Sequence, residues 1–510
     1  VASNLRIGGL ASGMDIDQLV SDLMKAERMP LDKLYQKKQI LEWQRDDYRS
    51  MNTLLQDLDN YIFNNLTLQS SMLKKKVTSS DESAVTATAN SSAVNISTTI
   101  NVTKIAKAAT WISNGTENFQ SGTTRTISLD VTNGDGSTKN GVTVTIDASD
   151  TLDSVISKLN SNNDLGITVF HDPQTDKVVI TKKDTGSAVR LVINDAATAT
   201  FFQELGFTNA AVGKELGDTN GDGVVDANDA AVKTAGEDAQ FTINGLATTR
   251  STNTFTINNV TYTLKKEGAS ATITTTNDTD AMFNTIKGFV DKYNEIIDKI
   301  NAELKEERYR DYPPLTDEQK EAMTEKQVEL WEEKARSGML RNDSILSSGL
   351  SKMRMALYTK VEGSNITSGF SQLAEIGITT SSNYLDGGKL IIDETKLREK
   401  IQENPDAIYR LFNNDSTNYS EKGIARRLRD TIKDTIGKIE QKAGKTLWTN
   451  QQFAIGRNLN QINDQIDRFE DRLKQIEDRY WRQFTAMEEA INKANSQSMY
   501  LMNAFGGGMQ

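Results

Sequence analysis

Residues 455–480 read IGRNLNQINDQIDRFEDRLKQIEDRY, with apolar positions Ile455, Leu459, Ile462, Ile466, Phe469, Leu473, Ile476 and Tyr480 alternately four and three apart. That spacing keeps one stripe of a helix apolar over several heptads, so the segment requires another helix laid along it. Beyond Tyr480 come Phe484, Met487 and Ile491, two steps of four in succession, which locally unwind a supercoil while the seam continues. Asp464 with Arg468, Glu470 with Lys474 and Asp478 with Arg482 stand acid before base at i,i+4, the order that favours pairing on a solvated face.

The N-terminus carries a matching signal. Asp15 followed by Gln18 predicts an N-cap with a capping box, and Ile16, Leu19, Val20 and Leu23 are read as one face of the helix it opens. Pro30 is expected to interrupt or restart that helix. Past it, Leu34, Leu41, Tyr48, Leu55 and Ile62 recur every seven residues, joined by Met51 and Leu58. A third seam runs through Phe283, Ile286, Val290, Tyr293, Ile297, Ile300 and Leu304, and a shorter stripe through Ile424, Leu428, Ile432, Ile436 and Ile439. These last two read as an ordinary bundle core. For the terminal pair, both a bundle core and a contact between molecules fit.

Between residues 77 and 277 the pattern changes to Thr, Ser, Val, Asn and Gly with period two, as in Val142-Thr143-Val144-Thr145-Ile146. Leu152, Val155, Ile156 and Leu159 place one amphipathic helix there, and strands at 167–170 and 178–181 flank a polar turn containing His171. This sole histidine reads as a surface residue without a catalytic role. Asn244-Gly245 and Asn258-Asn259 predict two-residue hairpin turns, in a module closed by Tyr262-Thr263-Leu264. Residues 305–336 are highly charged, with Pro313-Pro314 and then Thr316 and Gln319 opening a helix through Trp331, and are expected to form a solvated arm. Residues 376–380 and 389–392 flank Asp386-Gly387-Gly388 as a hairpin, followed by a helix from Glu394 and another opened by Asn404-Pro405.

The fold class is therefore multidomain α+β, with terminal helices paired as a coiled-coil or bundle leg and strand-rich head domains inserted between them. The boundaries are 1–45 with 465–510 for the terminal coiled coil, and 46–76 with 278–464 for a helical leg domain carrying a hairpin near 376–393. A β-rich head domain takes 77–112 with 238–277, and a second α+β head domain takes 113–237.

Composition limits function. The 510 residues include no cysteine, which excludes disulfides, thiolate nucleophiles and sulfur-rich metal sites. Seventy acidic against 59 basic groups give a formal charge of −11, which repels nucleic acid. No stretch approaches the roughly eighteen apolar residues of a membrane span, and residues 1–30 lack the features of a cleavable secretory signal. The chain is thus expected to be cytosolic or exported with its N-terminus uncleaved. No phosphate loop, nucleophile elbow, zinc-ligand cluster or distinguishable carboxylate pair supports catalysis. No cofactor is required. One segment has metal-ligand spacing: Asp218, Asn220, Asp222, Val224 through its carbonyl, Asp226 and Asp229 occupy calcium-loop positions one, three, five, seven, nine and twelve, with Gly223 at six. Asp229 replaces the usual glutamate, as in the dockerin-type loops it resembles. A metal-free Asx- and Gly-rich turn fits the same residues.

Ile7-Gly8-Gly9-Leu10-Ala11-Ser12-Gly13-Met14-Asp15 and Ala26-Glu27-Arg28-Met29-Pro30-Leu31 resemble the N-terminus of the bacterial flagellar cap family, also called hook-associated protein 2. The segments at 238–245, 289–294, 314–319 and 375–380 are similar to further parts of that family. Residues 127–207 resemble the hook-associated repeat unit. The resemblance implies a structural protein exported through the flagellar type III channel without a cleaved signal, forming a ring-like homo-oligomer at the distal filament tip. There it would promote flagellin polymerisation, limit loss of flagellin and allow the filament to elongate. The legs would contact flagellin through the terminal seams, a cytosolic export chaperone would bind the C-terminal region, and host mucus glycans are a further partner. Flagellin itself, a hook–filament junction protein and a secreted adhesin are the competing readings.

Overall fold

The computed structural model describes residues 13–116, 119, 122–218, 220, 222, 225, 232–383 and 386–506. The chain divides into two compact units, one formed by both ends, up to Met72 and from Thr279, and the other by Leu73–Asp278. Strand Lys75–Ser79 pairs with Ala269–Asn277, so residues 73–76 belong to the strand-rich unit rather than the helical leg.

In the helical unit the N-terminal helix Ile16–Tyr61 passes through Pro30 without a break. The proline forfeits one backbone hydrogen bond, but the next residue, Leu31, is buried against Ile462, Ile466 and Leu473 of the C-terminal helix Ala454–Gly506, and this packing holds the helix straight through. At its start Asp15 accepts from the Gln18 amide at 3.0 Å, whereas the Gln18 side chain turns forward to Asp22, so only half of the expected capping box forms. Ile16 and Val20 are buried while Leu19 and Leu23 are exposed, which splits the face predicted as one.

Farther along, Tyr48, Met51, Leu55, Leu58 and Ile62 are buried where this helix packs on Thr279–Lys305 and Ile424–Ala443. The third seam and the shorter stripe supply those partner surfaces. Arg429 forms a two-pronged ion pair with Asp59 at 2.8 and 3.1 Å, and Tyr48 donates to Asp343, the N-cap of helix Ser344–Tyr358. Burial and the adjacent Asp343 carboxylate push the Tyr48 phenol far up.

The charged segment 305–336 is not a solvated arm. It forms two helices, Asp317–Glu321 and Glu325–Arg336, because a second capping box, Thr324 with Gln327, restarts the chain after Ala322. Trp331 donates to the Pro313 carbonyl at 2.8 Å and Lys320 pairs with Glu332 at 2.7 Å, closing the two helices on each other. Gln36 bonds to the Pro314 carbonyl and Arg336 reaches Asp47, which fastens the segment to the N-terminal helix. The hairpin of Ile378–Thr380 with Leu390–Ile392, the helix from Glu394 and the Asn404-capped helix Pro405–Asn413 lie where the sequence put them.

In the strand-rich unit one core lies between a five-stranded antiparallel sheet and a three-stranded sheet. The first has the order Lys75–Ser79, Ala269–Asn277, Ile96–Lys104, Ala239–Ile243, Leu246–Arg250, and the second comprises Thr254–Ile257, Val260–Leu264 and Val85–Ala89. Asn244 and Gly245 have φ of 48° and 86°, and Asn258 and Asn259 have 50° and 65°, the double left-handed turn that a two-residue hairpin needs. A second core gathers strands Arg125–Thr132, Thr138–Ile146, Ile167–Asp172, Lys177–Thr185 and Arg190–Ile193 with helices Leu152–Ser161 and Ala196–Glu204. Strand Ala108–Ile112 belongs to this second core, because Trp111 and Ala109 are buried in it; the division expected at residue 112 therefore falls before Ala108. His171 is only partly exposed and lies 2.8 Å from Asp176, which also accepts from Thr116; it fastens the turn rather than decorating the surface.

Three peptide groups are each closed by one asparagine side chain that both donates and accepts. Asn160 closes Val169, Asn253 closes Ala106 and Asn294 closes Leu390, at 2.6 to 2.8 Å.

Candidate interaction surface on the paired terminal helices

The two terminal helices run antiparallel: Tyr35 donates to Glu470 at 2.6 Å and Tyr480 donates to Glu27 at 3.0 Å. On both sides of the Tyr35 rung Leu31, Ile462, Ile466 and Leu473 form a buried cluster, with Met24, Leu34, Leu41 and Phe469 packed partly buried around it. The Glu470 carboxylate accepting its hydroxyl pushes the Tyr35 phenol up, and burial raises the Asp32 carboxyl beside it despite Arg28 nearby.

The sequence-derived seam thus divides. Leu34 and Leu41 meet the C-terminal helix, whereas Tyr48, Leu55 and Ile62 turn into the body of the unit. On the other strand of the pair, Ile455, Leu459, Ile462, Ile466, Leu473 and Ile476 are all buried, and Phe469 and Tyr480 are half-buried. From Glu477 to Ala504 no described side chain is buried, and Met499, Tyr500, Leu501 and Met502 are 53–76% exposed. Four consecutive apolar residues point around the whole circumference of a helix, a pattern suited to burial by a partner on every side.

The charges behave differently from their i,i+4 pattern. Arg468 and Arg482 bond to the backbone carbonyls of Asp464 and Asp478, and Lys474 pairs with Asp471 while Glu470 serves Tyr35. Backbone carbonyls tilted outward on a long helix compete for arginine, and the cross-helix tyrosine takes the glutamate.

Of the calcium-like loop, Val224, Asp226 and Asp229 lie outside the described residues. Asp218 is buried with Lys214 at 3.7 Å, and Asn220 and Asp222 bond to each other. Among the described residues no group of three or more His, Cys, Asp or Glu side chains is placed to hold a metal, and no helix is long and apolar enough to cross a membrane.

Residues 12–109 match the family model described as the flagellar hook-associated protein 2 N-terminus, and residues 236–496 match its C-terminus model. The chain belongs to the flagellar hook-associated protein 2 family. A flagellar hook-associated protein 2 from Halalkalibacterium halodurans is 37% identical, with 98% of this chain and 100% of that one covered. Another, from Thermotoga maritima, is 31% identical over 72% of this chain and 54% of its own. Among solved structures, the D1-D2-D3 domains of the flagellar cap protein FliD from Escherichia coli give a TM-score of 0.54 at 22% identity, covering 78% of this chain and 96% of that one. This last similarity is one of fold. The two hook-associated protein 2 matches together bracket residues 110–235, so nearly all of the second strand-rich core and the calcium-like loop lie outside both.

Spacing alone found the seam of the C-terminal helix. In the first turns of its partner, Leu19 and Leu23 satisfy a helical period without facing the neighbour. The true line, Ile16, Val20, Met24, Glu27, Leu31, includes a glutamate that the Tyr480 hydroxyl explains.

Proposed function

We propose that this protein is the structural cap at the distal tip of the bacterial flagellar filament. In this reading it is a non-enzymatic homo-oligomeric ring that promotes insertion of flagellin and limits its loss as monomer. The carrying observation is the full-length relationship to hook-associated protein 2 combined with a terminal helix pair whose outer part exposes an apolar end. The protein reaches the outside through the flagellar type III channel. Before export a chaperone covers the charge-free C-terminal stretch after Lys493, and the filament-borne ring adds adhesion to mucus glycans. Electron microscopy of filaments from a strain lacking the gene, with and without added purified protein, tests the central claim. Annular density at the ends and restored elongation are expected; bare ends with unchanged growth would refute it.

We propose in addition that Asp218, Asn220, Asp222, Val224, Asp226 and Asp229 hold calcium, on the strength of their spacing. The nearby Lys214 ammonium opposes a cation, so binding at the weak end of such loops, roughly 10⁻⁴ to 10⁻³ M, is expected. Isothermal titration measures it. Heat that is absent, or that survives Asp218→Ala with Asp222→Ala, rules the site out.

A further inference from the structure

The chain passes from the first strand-rich core to the second at 105–107 and returns at 235–238. Covalent crossings by themselves leave one core free to swing on the other, since relative motion is the default for modules joined by short connections. Here the crossings are tied together. Lys107 and Glu237 exchange both backbone hydrogen bonds, at 2.9 and 3.1 Å, and the Lys107 ammonium reaches the Glu237 and Glu267 carboxylates at 3.2 and 3.3 Å.

The loop that follows strand Lys177–Thr185 of the second core packs into this crossing. Gly186 is buried, and its amide donates to the same Lys107 carbonyl at 3.1 Å. It meets Gly236 of the return crossing and Gly134 of the turn between Arg125–Thr132 and Thr138–Ile146, both also buried. A Cβ on Gly236 would lie 2.1 Å from the Gly186 carbonyl oxygen, and one on Gly134 would lie 1.6 Å from the Thr185 carbonyl oxygen. Backbone therefore packs on backbone with no room for a methyl group. Polar groups brace the contact. Thr185 donates to the Ser251 carbonyl at 2.6 Å, and the amide and hydroxyl of Ser187 donate to the Asp238 carboxylate at 2.8 and 2.7 Å. Thr185 and Ser187 belong to the second core, whereas Ser251 and Asp238 flank strands of the first, so these three bonds span the junction on either side of Gly186.

We propose that the glycine stack is a locked joint, which holds the second core at one angle on the first and makes the strand-rich unit move as one body. A side chain at any of the three glycines would wedge the segments apart and leave only the covalent crossings. A module carried on such a joint presents its surface to a partner without the entropy loss of first ordering a swinging domain.

The absence of native cysteine lets two spin labels be placed on the full-length protein, at Ala247→Cys in the first core and Thr168→Cys in the second, both exposed strand positions. Double electron–electron resonance is expected to give one narrow distance distribution. Gly236→Ala should broaden that distribution at least about twofold or move its centre, while circular dichroism is unchanged. The Gly236 backbone lies outside the left-handed region, so alanine there adds the clash alone. Asp238→Ala with Thr185→Val removes the three bracing bonds without adding bulk to the stack, and should broaden the distribution as well. A broad or split distribution in the otherwise unaltered protein overturns the joint, as does a folded Gly236→Ala protein with the original centre and width. If Gly236→Ala does not fold, an unchanged distribution in the Asp238→Ala, Thr185→Val protein overturns it instead.

Discussion

Cells producing Ile466→Asp with Leu473→Asp are expected to export the protein at normal level yet carry short or absent filaments and release flagellin monomer into the medium. Both side chains are buried in the cluster where the terminal helices meet around Leu31. Each substitution forfeits roughly 1.5–3 kcal/mol of apolar burial, and a carboxylate in the seam adds a desolvation cost. Beyond Leu473 the C-terminal helix has one further buried residue among those described, Ile476, so its outer part depends heavily on this cluster. The body of the helical unit keeps its own core around Tyr293, Ile297 and Ile432, so the damage should stay local. Limited proteolysis should cut the variant's terminal helices while leaving the strand-rich unit intact. A secreted-fraction blot and a motility assay complete the measurement. Normal swimming on full-length filaments, with the variant confirmed outside the cell, would show that pairing of the ends does not drive capping.

Arg427→Leu is expected to lower the melting temperature of the helical unit by about 5–10 °C while leaving the strand-rich unit's transition in place. This guanidinium is fully buried and donates to four backbone carbonyls, those of Lys422, Thr359, Lys360 and Ser420, with Tyr419 against its face. Among the described residues no carboxylate lies within ion-pair distance of it, and burial lowers its pKa although Glu362 partly opposes the shift. The four carbonyls include those that follow the end of helix Ser344–Tyr358, so removing the donor strands buried acceptors in one place, at about 3–5 kcal/mol. Arg427→Lys should recover only part of the loss, since an ammonium cannot span the same fork. Differential scanning calorimetry resolves the outcome: a variant melting within a degree of wild type would mean that water replaces all four bonds without penalty.

Features set by neighbouring residues were legible from the sequence. Asn244-Gly245 and Asn258-Asn259 made the hairpins they specify because left-handed dihedrals are a local property. The heptad from Ile455 gave the long C-terminal helix for a similar reason. What failed depended on partners far along the chain. Pro30 did not break its helix because Leu31 is pinned by residues more than four hundred positions away. The 313–336 segment docked because Gln36 and Asp47 receive it, and Ala108–Ile112 joined the second core because Trp111 finds Leu216 there. Arg427 looks in the sequence like one more charge on an amphipathic helix; only the converging carbonyls reveal it. The interaction surface was half legible: the C-terminal stripe followed from spacing, whereas the division of the N-terminal stripe between partner helix and body did not.

The asparagines that close Val169 and Leu390 act like chain terminators. Each stands on a helix packed against its strand, so the outer hydrogen-bonding groups there are already taken by a side chain with no onward peptide to template a further strand. In the proposed ring, such occupied edges would favour contacts that close on themselves over the open-ended stacking that consumes monomer into fibrils.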